Sequence, residues 1–304
     1  MTVAERTIHD VSHSAVASTL PAGACDCHTH VFGPAARFPY WERRSYTPPD
    51  ATVADLLRLQ GLLGLSRVVI VHPSPYGTDN AVSIEATLAI GLERARCVAV
   101  IDESFTTAEL RVMHDKGVRG VRLNLTSTGL NDPTQAWPRF EGVARLVADL
   151  GWHVQTYTTL AVIEALGDRF ATLPVPLVVD HFGGLDASQG LDQPGFATLR
   201  GLVGAGKAYV KLSGGYRVTR TPDWSDVAPF ARALIAANPD RCVWGTDWPH
   251  PGGAPRTGQS RLDVEPFQPI DDGAALNRLE QWAGDAATLK AILVDNPARL
   301  YDFA

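Results

Sequence analysis

The sequence predicts an α/β protein folded as a single (β/α)8 TIM barrel. Eight short β-branched runs alternate with longer amphipathic runs, and 304 residues is about the length such a barrel needs. The rival doubly wound sheet would place a G-x-G-x-x-G after its first strand, where this chain instead reads HVFGPAARFPYW.

The first strand covers 24–31 (ACDCHTHV), and a connection rich in proline and aromatics follows at 32–49. Pro48 and Pro49 block an earlier helix start and Asp50 is placed to cap the helix at 50–63, whose Val53, Leu56, Leu57 and Leu63 recur at helical spacing. RVVIV at 67–71 is the second strand, with a helix near 80–94; CVAVID at 97–102 is the third, with a helix at 106–116. Thr106 and Glu109 have capping-box spacing, Leu110 and Met113 fall on the core side, and Gly117 closes that helix. The remaining strands are read at 118–125, 152–157, 175–181, 207–213 and 241–247. Their helices lie near 139–150, 159–169, 195–205 and 226–237, with a final pair within 274–294. The strand runs lack a strict period of two, as expected when helices cover one face and packed side chains fill the other. No linker, repeat or low-complexity tract divides the chain. It reads as an N-terminal extension, 1–22, and one barrel domain, 23–304, with long loops at 32–49 and 248–272 on the face where such barrels carry their active sites.

The balance of 27 basic and 33 acidic residues, 27 − 33 = −6, argues against nucleic acid as a partner but leaves room for a small anion held by a few arginines. A mean hydropathy of −0.04, with no run of about 18 apolar residues, argues against a membrane partner. Four cysteines, at 25, 27, 97 and 242, are too few for a disulfide scaffold and are expected as reduced thiols in a cytoplasmic protein. Nothing in the sequence fixes an oligomeric state.

His28 and His30, two apart on the first strand, share a face. Asp247 ends the eighth strand, the first strand's neighbour in a closed barrel, and His181 ends the sixth. Four such residues converging on one mouth point to catalysis, because packing alone gives buried polar groups no partner. These four would also suffice for one metal ion. Asp180, next to His181, is expected to face away and orient a loop or cap a helix. Arg122 has the inward parity of the fourth strand and Arg119 the outward one; Arg122 and Arg217 are candidate binders of a substrate carboxylate. Tyr157, with Gln155 one parity step back, ends the fifth strand, and Tyr46, His72, Tyr76 and Asn124 are expected to line the pocket. His9, His13, His114, His153 and His250 lack this convergence. No G-x-S-x-G elbow is present.

The segments HTHVFG, VDHFG and WGTDWPHP resemble those of the amidohydrolase superfamily in its amidohydrolase-2 branch, TIM-barrel metal-dependent-hydrolase-like proteins. The likeness runs from Gly23 to Tyr301, with GTDN at 77–80, RGVRLN at 119–124 and DNPARLY at 295–301. It is strongest toward members that hydrolyse pyrone dicarboxylate, sulfomuconolactone and sugar-acid lactones. The resemblance implies a hydrolase of aromatic-compound catabolism that opens a cyclic ester with water. Asp247 would be general base and then acid, with His28, His30 and His181 around the carbonyl, Arg122 and Arg217 on a carboxylate, and Tyr46 and Tyr157 in the pocket. LTSTG at 125–129 lacks a carboxylate-binding arginine of the dicarboxylate hydrolases, and Tyr76 replaces a histidine. A small lactone with a different or smaller carboxylate or sulfonate group is therefore expected, with Arg256 or Arg261 as compensating cations. The resemblance leaves two cofactor readings, one zinc or manganese ion held by His28, His30, His181 and Asp247, or no metal. A metal-dependent nonoxidative decarboxylase is the alternative reaction.

Overall fold

In the computed structural model, which describes residues 11–252, 258 and 260–304, eight parallel strands pair in sequence order from β1 to β8. The first half runs β1 (Cys25–Thr29), α1 (Val53–Leu63), β2 (Arg67–Val71), α2 (Ala81–Ile90), β3 (Ala95–Ala99), α3 (Thr107–Asp115), β4 (Val118–Asn124), the short α4 (Leu125–Thr128) and α5 (Pro133–Val147). The second half runs β5 (His153–Tyr157), α6 (Leu160–Phe170), β6 (Leu177–Val179), α7 (Phe196–Gly204), β7 (Ala208–Ser213), the short α8 (Gly215–Val218), α9 (Ala228–Ala237) and β8 (Cys242–Gly245). Helices α10 (Asp272–Ala283), α11 (Ala286–Lys290) and α12 (Asn296–Tyr301) end the chain. This is the (β/α)8 barrel that the alternation predicts.

The seam between β1 and β8 sits at the mouth. Asp247 N–H donates to the His28 carbonyl and His30 N–H to the Trp248 carbonyl, both at 2.8 Å. Gly245 allows this approach, since a Cβ there would stand 2.6 Å from the His28 nitrogen. The Asp26 carboxylate ties the same seam by accepting from Thr246 N–H (3.0 Å), Thr246 Oγ1 (2.7 Å), His28 N–H (3.1 Å) and Gln60 Nε2 of α1 (3.3 Å). A register irregularity between Asp26 and Thr29 breaks the period of two. Cys27 therefore joins the buried cluster of Cys25, Val69, Val71, Val98, Val178 and Val243, while His28, the next residue, reaches the site above it. Tyr301 and Phe303 complete this cluster from the C-terminal end of the chain.

Several boundaries differ from the sequence reading. Thr52, not Asp50, caps α1, in a reciprocal box with Asp55; α3 has the expected Thr106–Glu109 box. Helix α5 begins at Pro133, with Asp132 as its cap, and carries Pro138 inside it, so that proline does not mark its start. Strand β3 begins two residues early, at Ala95, where the Arg96 side chain reaches the Tyr301 carbonyl. The final helical segment continues past 294 to Tyr301.

Candidate active site

All three histidine rings turn Nε2 toward one carboxylate, because each ring is held from behind. His30 Nδ1 lies 2.7 Å from the Val71 carbonyl, His181 Nδ1 3.0 Å from Ser213 Oγ, and His28 Nδ1 3.2 Å from Asp180 Oδ1. Their Nε2 atoms stand 3.4 Å (His30) and 3.6 Å (His28) from Asp247 Oδ1 and 3.8 Å (His181) from Oδ2. Asp247 and His28 are fully buried, and His28 Nε2 and Asp247 Oδ1 have no hydrogen-bond partner among the described residues. The His30 pairing with a carbonyl requires a hydrogen on Nδ1, so its Nε2 presents a lone pair to an anionic oxygen. A proton, a water or a cation must lie between them, and the donor set suits one divalent ion. His28, His30 and Asp247 place one ligand atom each within 4.8 Å of one another, as do His28, Asp180 and His181.

Backbone strain contributes to the convergence. Asp247 and His181 both have positive φ, 67° and 49°. In extended backbone only one of Asp180 and His181 could face the mouth; the left-handed turn at His181 brings both in. The expectation that Asp180 faces away is thus corrected. Fully buried, it accepts from Arg122 Nε at 3.2 Å and Gln155 Nε2 at 3.0 Å.

Electrostatics follow from this packing. Burial would raise both carboxyls, but Arg217, His181 and His30 hold Asp247, and His28, Lys211 and Arg122 hold Asp180, well below the usual carboxylate range. Burial, with Lys211, lowers His28 strongly; burial also lowers His30 and takes His181 to about 4, against the pull of Asp247. At neutral pH the floor is neutral imidazole around ionised carboxylates.

Above this floor opens a cavity of about 630 Å3 lined by His30, His181 and Asp247 with Arg122, Arg217, Tyr46, Tyr157 and Asn124. Ser74, Thr126, Ser127 and Glu265 complete much of its polar wall. Arg217 donates through Nε to Asp247 Oδ2 at 2.5 Å and through a terminal nitrogen to the Pro251 carbonyl. Both guanidiniums lie 5.9 Å from the Tyr157 ring centre. Two expected lining residues are elsewhere. His72 Nδ1 pairs with Ser83 of α2, because its parity is outward, and the Tyr76 hydroxyl accepts Gly33 N–H within an aromatic cluster with Phe32 and Tyr40. Arg261 is exposed and outside the lining, while Arg256 lies outside the described residues. A larger open groove of about 840 Å3 runs between α3 and α5, but its ionisable residues are all exposed.

The amidohydrolase family profile matches residues 25–303. The chain belongs to the amidohydrolase family. It is 38% identical to a 4-sulfomuconolactone hydrolase of Rhizobium radiobacter, covering 94% of this chain and 92% of the relative. It is 39% identical to a 2-pyrone-4,6-dicarboxylate hydrolase of Comamonas testosteroni, over 93% and 91%. Among solved structures, a Pseudomonas putida protein assigned as a 2-pyrone-4,6-dicarboxylic acid hydrolase superposes with a TM-score of 0.76 at 34% identity, over 93% of this chain and 99% of that one.

Two residues that the sequence reading passed over also contact this cluster in the amidohydrolase. Lys211 is fully buried and donates to the Cys27 carbonyl (2.8 Å) and Gln155 Oε1 (2.7 Å), with Asp180 Oδ1 at 3.5 Å. A lysine in the middle of the apolar strand AYVKLS is a signal that parity could have caught. Tyr216 donates its phenol to Asp247 Oδ2 at 2.7 Å from the turn after β7, where no sequence pattern marks it.

Proposed function

We propose that this amidohydrolase opens the ring of a small anionic lactone, carboxylated or sulfonated, by attack of water on the ester carbonyl. One observation carries the reading: a buried, ionised Asp247 ringed by three imidazole Nε2 atoms, at the floor of a cavity walled by two arginines. Arg122 and Arg217 hold the substrate's acid group beside Tyr157, with Tyr46 and Asn124 on the wall, which sets the carbonyl over the floor. Asp247 takes a proton from the attacking water and returns it to the leaving alkoxide, so the cycle closes without a covalent intermediate. An Asp247 paired with Arg217 is a weak base. When substrate draws on the same guanidinium the carboxylate becomes more basic, which couples binding to activation.

His28, His30 and Asp247, with His181 beside them, would hold a zinc or manganese ion. Such an ion supplies Lewis-acid polarisation of the carbonyl.

Among the described residues each cavity arginine already faces a carboxylate, Arg122 with Asp180 and Arg217 with Asp247. That balance supports a substrate with a single acid group. His72 and Tyr76 serve in this reading by packing behind the wall. We place the enzyme in the cytoplasm, in aromatic-compound catabolism; four free, buried cysteines support a reducing compartment. No helix among the described residues is long and apolar enough to cross a membrane. The relatives compared above are named for lactone hydrolysis, which disfavours the decarboxylase alternative.

The test is a panel of mono- and dicarboxylated and sulfonated lactones, followed by acid release, with CO2 release from aromatic acids in parallel. Ring opening of a mono-acid lactone is expected. CO2 release with no acid released from any lactone would overturn the reading.

A further inference from the structure

The N-terminal segment is seated against α10 with more precision than a tail requires. Ser14 donates through its N–H (2.8 Å) and Oγ (2.5 Å) to the Asp271 carboxylate, Ala17 N–H donates to Asn277 Oδ1 (2.8 Å), and Asn277 returns a bond to the Ala15 carbonyl. Contact is so close that a Cβ on Gly273 would stand 1.9 Å from the Ser14 carbonyl oxygen. His13 Nδ1 accepts the Asp272 N–H at 3.1 Å. The Asp272 side chain turns inward, fully buried, and accepts from His250 Nε2 at 3.1 Å.

His250 is buried and placed between this anchor and the catalytic floor. Its N–H donates to the Asp247 carbonyl at 2.8 Å, and its ring meets Tyr216 edge to face at 5.5 Å. Tyr216 in turn donates to Asp247 Oδ2. A left-handed φ of 69° at His250 shows that the surroundings impose this conformation on a residue that ordinarily avoids it. The His250 ring gives its Nε2 hydrogen bond to Asp272 and meets Tyr216 edge to face, and so joins the N-terminal segment's anchor to the phenol that fixes the proposed base.

We propose that Asp272 and His250 are positioning residues, through which the seated N-terminal segment holds Tyr216 and the 247–250 turn, and hence the Asp247 carboxylate, in reactive geometry. This rests on Asp247 as the base. His250 touches no reacting atom in this scheme, so its loss acts on kcat.

The experiment combines kinetics with hydrogen exchange on the full chain. His250→Ala should lower kcat about 10- to 50-fold with KM within about twofold, and His250→Gln, which keeps an N–H for Asp272, should recover most of the loss. If His250 works through Tyr216, the double variant H250A/Y216F should be no slower than Y216F alone within about twofold. Independently of turnover, His13→Ala with Ser14→Ala should quicken amide exchange across 247–252 as well as at the start of α10. Additive losses in the double variant, a rise in KM alone, or exchange confined to α10 would overturn the relay. If the wild-type chain opened no lactone, the proposed function would fail, and the exchange pattern would still decide the relay.

Discussion

Asp247 is held ionised at a fully buried position chiefly by Arg217, which with Tyr216 occupies Oδ2 and leaves Oδ1 for the role proposed for it. Asp247→Asn keeps the shape but takes no proton, so kcat should fall at least about 100-fold while circular dichroism is unchanged. A folded D247N keeping a third of wild-type turnover would reject the base. Arg217→Met removes the principal charge that depresses Asp247, so the acid limb of kcat/KM should move to higher pH, toward the ordinary 3.8. The same variant should lose about 30- to 150-fold in kcat/KM on an acidic lactone and less on a neutral analogue. An unmoved acid limb with equal losses on both substrates would make Arg217 structural. At this scale much was legible: strand-end histidines and Asp247 stand out because polar groups in apolar runs need a reason. Asp180 was misjudged because parity presumes extended backbone, and the positive φ at His181 breaks that presumption. Lys211 left a readable mark, a lysine inside an apolar strand, whereas Tyr216 meets Asp247 from the short helix after β7 through a tertiary contact that no local pattern encodes.

Elements set where these residues meet, and the seam between β1 and β8 is the decisive joint. Asp26 accepts four hydrogen bonds there, two from Thr246 across the seam, one from Gln60 of α1 and one from the His28 backbone, so the carboxylate positions the strand that carries two of the site histidines. Asp26→Ala would leave buried donors without acceptors at about 1–3 kcal/mol each, for a total loss of at least about 3 kcal/mol. Urea unfolding measures this, and a loss under about 0.5 kcal/mol would show that the seam holds without Asp26. Strand order and helix alternation were readable because apolar runs of strand length alternate with helical periodicity. Boundaries were less so, for physical reasons visible at α5 and β1. Pro138 lies inside the helix that Asp132 and Pro133 start, and the β1 irregularity at Asp26–Thr29 belongs to its pairing with β2, a tertiary feature that no local pattern encodes.

The whole molecule carries several neutral histidines in its interior, and this ties its stability to pH. His72, packed on Ser83 of α2, and His153, facing Tyr301 low in the barrel, are both lowered to about 3 chiefly by burial. In the unfolded chain each titrates near 6.5. As pH falls below 6.5 the unfolded state takes up protons that the folded state refuses, so stability drops on acidification until the folded value is reached. Each such histidine contributes a slope of up to about 1.4 kcal/mol per pH unit in that window. The depressed Asp247 and Asp180 carboxyls show the same proton imbalance as the histidines, but only around and below the ordinary 3.8, so they add acid lability below the histidine window, not within it. In urea unfolding from pH 6 to pH 4.5 the imidazoles are opposed by one buried carboxyl, Asp26, which burial pushes up to about 7; it takes up its proton in the folded state and offsets about one histidine. His153→Asn removes one titrating group outside the proposed site, and its stability should fall less steeply than that of the wild type, by about 1.4 kcal/mol per pH unit, whatever its stability at pH 7. Parallel lines for the two proteins would mean that His153 takes up its proton in the folded barrel, and that the interior beneath the site admits charge.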